Sequence, residues 1–587
     1  MSTHRHWFAV LIASALISST VIARNASTEW MLKVDSKLMA KASAGGEVEF
    51  FVVMKQQADV SDAYHFKTKE EKGTYVFNKL QDLAAHTQPP LWNKLQELNA
   101  PYSSYFIING IWVKGDVSVI QALAEFSEVS RIFTNARFEM LKPVNEAQPA
   151  STGTESMEAI EWSLTLTKAD QVWDLGHTGQ GAVVGGQDTG YEWDHPAILA
   201  QYRGWNGNAA NHNYNWHDAV HTGNGGDCGL NSTEPCDDHN HGTHTMGTMV
   251  GDDGNTNQIG MAPGATWIGC RNMDVGAGTF ASYAECFQWF IAPTDLNDAN
   301  PMPSKAPHVI NNSWGCPPSE GCDSSNFSAM ATIIGNVRAA GIVVVASAGN
   351  SGSACNTVQD PPAMFDESFS VGSTTNLDEI SGFSSRGNVT VDGSNLMKPD
   401  ISAPGSSIRS CIRGGSYSTF SGTSMAGPHV AGLVALIISA NPALAGQVDS
   451  IENIIKSTAV QLTTTENCGG VSGSQIPNNT FGWGRIDALA AVNKVITDVH
   501  QTEGNETTRA HIYPNPMVDH ATLFIQGNNQ TIREVNIFTL NGQKIRTLLP
   551  QPGAIIPLNG LELASGTYFV EAVAENGVVF HEKLIVR

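Results

Sequence analysis

Cysteine is absent from the first 227 residues and from everything after position 468. All nine cysteines of the 587-residue chain fall between Cys228 and Cys468, which sets that region apart from its flanks. None has the Cys-x-x-Cys spacing of a structural zinc site, and the chain has no His-Glu-x-x-His helix motif, so nothing marks a zinc hydrolase. Basic charge is scarce. Lys and Arg number 33 against 56 Asp and Glu, a net charge of −23, which argues against a protein that tracks nucleic-acid phosphates. Beyond the N-terminus, the apolar runs are short or broken by Gly and Ser, and none reads as a membrane-spanning helix.

The N-terminus itself differs. Arg5 and His6 precede the apolar run Trp7–Ile22, which ends in Val21-Ile22-Ala23. Residues 1–23 read as a secretory signal peptide cleaved after Ala23. In an oxidising compartment most of the cysteines are expected as disulfides. Cys228 with Cys236, and Cys316 with Cys322, are close enough to close small loops. The full connectivity stays open, and an odd number leaves at least one thiol over.

The length exceeds one ordinary domain. Residues 24–148 contain a small α+β pattern, with strands at 47–54, 104–113 and 129–133 and helices at 72–84, 91–98 and 118–126. It carries no catalytic constellation and runs into a Pro-, Ser- and Thr-rich linker at 142–158. Residues 149–496 change character. Apolar strands (182–187, 265–272, 308–312, 342–348) alternate with helices (241–251, 281–291, 327–340, 423–440). Near-continuous apolar strands separated by helices imply α/β architecture, a parallel sheet covered on both faces. Its functional loops should gather at the carboxyl ends of the strands. A second polar linker spans 497–509. Residues 510–587 read as a small β-sandwich, with Asn541-Gly542 and Asn576-Gly577 as hairpin turns.

Four stretches of the α/β region carry chemistry. Gly422-Thr423-Ser424-Met425-Ala426-Gly427-Pro428-His429 places a serine at a helix entrance, where free N–H groups and the helix dipole favour negative charge; Pro428 is tolerable if it lies in the first turn. Gln187-Asp188-Thr189-Gly190 ends a strand, His241-Gly242-Thr243-His244 opens a helix, and Ala348-Gly349-Asn350-Ser351 closes the most apolar strand. Singly, these residues have plainer readings as a capping serine, a turn aspartate, a surface histidine and a turn asparagine. Together they supply a nucleophile (Ser424), a base (His241), a carboxylate to orient it (Asp188) and an oxyanion donor (Asn350).

The set QDTG, HGTHTMGT, ASAGNSG and GTSMAGPHVAG resembles the subtilisin-like serine proteases, the subtilases, over roughly residues 161–496. The runs VINNSWGCPPSEGC, YEWDHPAI and GCRNMD resemble the bacillopeptidase F-like subgroup. The resemblance implies a three-layer fold with a mainly parallel sheet and an Asp188-His241-Ser424 triad with Asn350 in the oxyanion hole. It also implies a substrate-binding edge of Ser313, Trp314 and Gly315, together with Gly349, against which a peptide adds as a strand. Trp314 stands where the family has a smaller residue and is expected to reshape the nearby pockets. Residues 24–148 resemble, in topology, an inhibitor I9-like propeptide that would inhibit its own enzyme. The carriers YPNP (513–516), LASGTYFV (563–570) and KLIV (583–586) resemble the C-terminal sorting domain of the type IX secretion system of Bacteroidota. The chemistry needs no cofactor. Structural calcium is a family property, but residues 251–260, acidic as they are, read first as a solvated turn. The cluster Asp237 to His244 reads as no metal site, and His244 and His429 read as packed structural histidines.

The sequence therefore points to a secreted serine endopeptidase made as a self-processing zymogen. It would act on proteins or peptides, be exported across periplasm and outer membrane by the type IX machinery, and have no nucleic-acid partner. The alternative is an inactive surface binding protein on the same scaffold. Cleavage preference, maturation sites, calcium ligands and release from the cell surface are not written in the motifs.

Overall fold

The computed structural model describes residues 29–144 and 160–502. Between 509 and 586 it describes all but positions 514, 516, 519, 527–530, 540–542, 551–554, 559–560, 562 and 576–578. The signal peptide, most of the first linker and both proposed hairpin turns lie outside the described residues. The chain divides into two compact units, residues 1–491 and 492–587.

The first unit begins with α1 (Ser36–Ser43), β1 (Val48–Met54), α2 (Lys69–Thr87), α3 (Pro89–Glu97), β2 (Tyr102–Tyr105), β3 (Gly110–Gly115), α4 (Val117–Ala124), β4 (Val129–Thr134) and β5 (Arg137–Glu139). Strands β2-β3-β1-β4 form an antiparallel sheet in that order. The expected single strand over 104–113 is corrected. It is a tight hairpin, with Tyr105 paired to Gly110. Helix α2 starts with a full capping box, Thr68 and Glu71 satisfying each other's backbone N–H groups. The sheet has its own core of Phe50, Val52, Ile111, Val113, Ile120 and Ile132. Its other face is continuous with the core of the larger domain.

That domain contains α5 (Trp162–Thr167), α6 (Ala169–Asp174), β6 (Val183–Asp188), β7 (Trp216–Asp218), α7 (His241–Val250), β8 (Thr266–Arg271), β9 (Met273–Asp274), β10 (Ala277–Thr279), α8 (Phe280–Ile291), β11 (Val309–Asn312), α9 (Phe327–Ala339), β12 (Val343–Ser347), β13 (Phe369–Thr374), β14 (Ile401–Pro404), β15 (Ile408–Ile412), β16 (Ser416–Phe420), α10 (Thr423–Ala440), α11 (Val448–Thr458), β17 (Asn467–Cys468), β18 (Val471–Ser472) and α12 (Ala488–Thr502). Seven strands form a sheet in the order β14-β13-β12-β11-β6-β8-β7, every pairing parallel. Adjacent residues of β6 show what covers it. A Cβ on Gly185 would lie 3.0 Å from Phe290 of α8, and one on Gly186 would lie 3.3 Å from Met246 of α7. Successive strand residues face opposite ways, so the two helices cover opposite faces. The result is the three-layer α/β fold. Helix α10 is apolar enough to cross a bilayer, but it is almost entirely buried inside this unit, as a core helix.

Four disulfides join Cys228–Cys236, Cys270–Cys286, Cys316–Cys322 and Cys355–Cys468, and Cys411 is a buried free thiol. Cys355–Cys468 spans 113 residues. In the chain-entropy account a loop of that order is worth roughly 4.7 kcal/mol.

The second linker is corrected at its start, because α12 continues to Thr502. In the second unit, β19 (Arg509–Tyr513), β20 (Thr522–Gln526), β21 (Ile532–Thr539), β22 (Lys544–Leu548), β23 (Ile555–Pro557), β24 (Gly566–Ala574) and β25 (Val579–Val586) form two antiparallel sheets, β19-β20-β23 and β22-β21-β24-β25. Leu523, Ile525, Val535, Ile537, Val570 and Leu584 fill one core, as in a small sandwich.

Candidate active site

Strand β6 lies between β11 and β8, where the chain's progress across the sheet reverses. Sites in open parallel sheets form at such switch points, beyond the carboxyl ends of the strands. Asp188 is the last residue of β6, Ser313 follows β11, and Asn350 lies just beyond β12.

His241 is the first residue of α7, and its Nδ1 is 2.7 Å from Asp188 Oδ1, with both side chains buried. That Oδ1 also accepts from the Thr189 N–H at 2.7 Å, and Oδ2 from the Thr245 hydroxyl at 3.4 Å. The carboxylate is thus oriented from several sides. The ring in turn is held with Nδ1–H toward it. What brings the two residues together is Asp237, which sequence reasoning left as part of a metal-like cluster. Its Oδ1 accepts from the Thr189 hydroxyl (2.8 Å) and the His239 N–H (2.9 Å). Its Oδ2 accepts from the Thr243 N–H (3.0 Å) and hydroxyl (2.6 Å). One carboxylate therefore ties the turn after β6 to the first turn of α7. It supplies the cap that Asn240 does not.

Ser424 is the second residue of α10, and its N-cap is Gly422, with no side-chain cap of its own. Asn350 takes that role. Its Oδ1 accepts from the Thr423 N–H and the Thr423 hydroxyl, both at 2.9 Å. With the oxygen so engaged, Nδ2 must face the cleft. Gly349 has φ +107°, and a Cβ there would come within 2.8 Å of Ser385 Oγ, so the loop that presents Asn350 needs glycine. Pro428 is not in the first turn, as the sequence reading allowed, but sixth in the helix. Proline cannot donate to the carbonyl four residues back, which is that of Ser424. The Ser313 hydroxyl donates there instead, at 3.1 Å. Ser313 thus satisfies the carbonyl of the very residue whose hydroxyl is the proposed nucleophile, a role the motif did not reveal.

The cleft is filled by the chain itself. Strand β5 pairs with β10, Phe138 opposite Gly278, and the Met140 N–H donates to the Gly276 carbonyl at 2.8 Å. On the other side Met140 bridges to Trp314. The Phe138 ring lies 5.1 Å from Tyr283 and 6.2 Å from Trp314, so Trp314 is a wall of an aromatic pocket. The Leu141 side chain packs on Gly315. Ser424 Oγ lies 3.5 Å from the Leu141 carbonyl oxygen and 3.4 Å from that of Ser313, and Asn350 Nδ2 donates to the Lys142 carbonyl at 3.2 Å. The segment 137–142 thus lies extended along the cleft, with the Leu141 carbonyl at Ser424 and the Lys142 carbonyl at the Asn350 amide.

Two further histidines are structural. His244 stacks on Phe420 and donates from Nε2 to the carbonyls of Ile408 and Ser418, at 3.1 and 3.2 Å. Burial, and then the neighbouring His241, push its pKa down to about 3. His429 bonds Met425 and Ser163, and burial takes its pKa down to about 4. In the loop at 251–260 the carboxylates accept from their own loop. Asp252 takes the Gly254 N–H, and Asp253 takes the N–H groups of Asn255 and Asn257. Among the described residues no group of three or more His, Cys, Asp or Glu is placed to hold a metal ion.

Comparison with known proteins agrees with this architecture. Residues 179–484 match the Subtilase family model, and residues 511–587 match the Secretion system C-terminal sorting domain. Bacillopeptidase F of Bacillus subtilis (strain 168) is 35% identical over 478 residues, covering 77% of this chain and 31% of that protein. The chain thus spans about a third of that relative's length. Subtilisin DY of Bacillus licheniformis is 30% identical over 308 residues, 52% of this chain and 93% of its own. Subtilisin E of Bacillus subtilis (strain 168) is 29% identical over 311 residues, 52% and 68% of the two chains. With a parallel sheet whose switch point carries Asp188, a helix opened by His241 and another with Ser424 in its first turn, and with a family match over more than half its length, the chain belongs to the subtilase family.

Proposed function

We propose that the protein is a secreted serine endopeptidase, made as a zymogen and exported through periplasm and outer membrane by a type IX machinery that reads residues 510–587. The observation that carries the reading is a buried Asp188–His241 couple together with a Ser424 hydroxyl that meets the Leu141 carbonyl oxygen at 3.5 Å in the cleft, which the Asn350 amide also faces because its oxygen is pinned by Thr423. A peptide lies extended between β10 and Ser313–Gly315. Ser424 Oγ attacks the scissile carbonyl, and His241 Nε2 takes its proton. The oxyanion is met by the Asn350 amide and the Ser424 N–H, which is free because it belongs to the first turn of α10. His241 then returns the proton to the leaving amine, and water hydrolyses the acyl-enzyme by the same steps in reverse. Residues 24–148 act as propeptide and inhibitor, which is supported by the segment 137–142 lying along the cleft.

A serine-directed fluorophosphonate should label Ser424 of the processed protein and abolish its cleavage of unfolded protein. Failure of both labelling and cleavage would leave the inactive binding protein as the reading. Asn350→Ala should lower kcat by about 10²–10³-fold with little change in KM. That magnitude comes from the oxyanion asparagine of subtilisin, a relative of this chain. A drop in kcat/KM made wholly of KM would mean that Asn350 binds the ground state and not the oxyanion.

A further inference from the structure

On the cleft wall beside Gly315 stands Asp360. The Cys316 N–H donates to the Pro361 carbonyl at 3.1 Å, so the chain around Asp360 is fastened to the edge that receives the peptide, and the Cys316–Cys322 disulfide stiffens that edge. A Cβ on Gly315 would lie 3.2 Å from Leu141 Cδ2 and 3.6 Å from Asp360 Cβ. The leucine and the aspartate therefore border the same glycine. Asp360 is half-buried, and among the described residues no cation or hydrogen-bond donor meets its carboxylate. Its closest charged influence is Glu320, of the same sign. Burial first, and then Glu320, push its pKa up to about 6. Keeping a carboxylate partly out of water without a partner costs stability. The fold keeps it beside the glycine on which Leu141 packs, and the Leu141 carbonyl oxygen lies 3.5 Å from Ser424 Oγ.

We propose that Asp360 is a specificity-determining residue that selects Lys or Arg on the acyl side of the scissile bond. This rests on the endopeptidase reading above. A long cationic side chain fits the geometry. Its methylene stem takes the place of Leu141 on Gly315, and its head reaches the carboxylate that has no partner. Leu141 supplies the stem without the charge, so the chain's own segment fits the cleft without satisfying Asp360. An acidic residue there meets two negative charges, Asp360 and Glu320, and is rejected.

The test uses the secreted, self-processed protein and peptides copying residues 137–144, with Lys, Arg, Leu or Glu at the position of Leu141. The expected kcat/KM for Lys and Arg is at least about tenfold above Leu, or about 1.4 kcal/mol, with Glu slowest. In Asp360→Asn the Lys-to-Leu ratio should fall to about one. Fluorophosphonate labelling of Ser424 reports whether the variant has an intact site. If it does not, the Lys-to-Glu and Lys-to-Leu ratios of the unmodified protein still decide. Labelled protein that cuts after Leu as well as after Lys, or a basic preference that survives Asp360→Asn, overturns the proposal and leaves the endopeptidase reading standing. Absence of both labelling and cleavage overturns the reading on which it rests.

Discussion

Replacing Ser424 by Ala is expected to abolish peptide hydrolysis, a loss on the order of 10⁶-fold in kcat, as removal of the nucleophile does in the related subtilisin. The same variant should accumulate with residues 24–148 still attached. The reason is geometric. Ser424 Oγ faces the Leu141 carbonyl at 3.5 Å, and Leu141 is held from both sides by the Met140 contacts to Gly276 and Trp314. In the unmodified protein the first N-terminal fragment released should therefore end at Leu141, as intact mass will show. The next bond is the less suitable one. Although Asn350 reaches the Lys142 carbonyl, that bond leads into Pro143, whose ring replaces the N–H of an ordinary leaving group. A fragment ending at Lys142 would mean that the Asn350 contact and not the Ser424 contact marks the reacting bond. A Ser424→Ala protein recovered in processed form from a protease-free host would show that maturation is not autocatalytic.

The parts of this arrangement legible in the sequence are those set by local pattern. Buried parallel strands are continuous apolar runs, so 182–187, 308–312 and 342–348 stood out, and the residues that end them fell where a switch point puts chemistry. Strands β13 to β16 were not recognised. Ser402 and Pro404 make β14, and Ser416 and Ser418 make β16, look like loops; β13 and β14 are strands because they extend the sheet under α10, and β15 and β16 because they pair with each other, with β15 against α7. The hairpin at 102–115 was read as one strand because its turn, Phe106–Asn109, is mostly apolar. The Asn109-Gly110 pair was the signal that could have revealed it. The second linker was placed too early because Val499–Thr502 is polar, yet α12 continues through it.

Site residues divide the same way. Asp188, His241, Asn350 and Ser424 sit in recognisable stretches. Asp237 and Asp360 do not, since their roles depend on what the fold brings beside them: Thr189 and Thr243 for one, Gly315 for the other. The cleft-filling segment was equally hidden. Nothing in Arg137–Lys142 announces that Phe138 will pair with Gly278, although the Gly-Ala-Gly run at 276–278 is the kind of side-chain-poor edge against which a peptide backbone can lie.

The hydrogen bonds around Asp188 allow a sharper test of what its charge does. Asp188→Ala removes both orientation and charge and should lower kcat by on the order of 10⁴-fold, the scale of the corresponding loss in subtilisin. Asp188→Asn is expected to lose less. In a triad where the asparagine amide can turn its N–H₂ toward the histidine, the ring is forced into the wrong tautomer and most activity goes. Here that rotation is opposed. The Oδ1 position already receives the Thr189 N–H at 2.7 Å, so an amide nitrogen placed there would set donor against donor. The Oδ2 position faces the Thr245 hydroxyl at 3.4 Å, whose one proton can turn to the Gly242 carbonyl at 3.0 Å and leave its oxygen to accept from an N–H₂. The asparagine oxygen should therefore stay toward His241 Nδ1–H, and the ring should keep Nε2 as its basic nitrogen. What is lost is the negative charge beside the imidazolium. Without it the His241 pKa must fall, because the charged form has lost its counter-charge. The acid limb of the kcat/KM profile should then move to lower pH in Asp188→Asn, while the plateau drops. Activities should order as Asp, then Asn, then Ala. If Asn is as damaging as Ala and its acid limb does not move, then the ring has changed tautomer, and the Thr189 N–H does not fix the amide as argued.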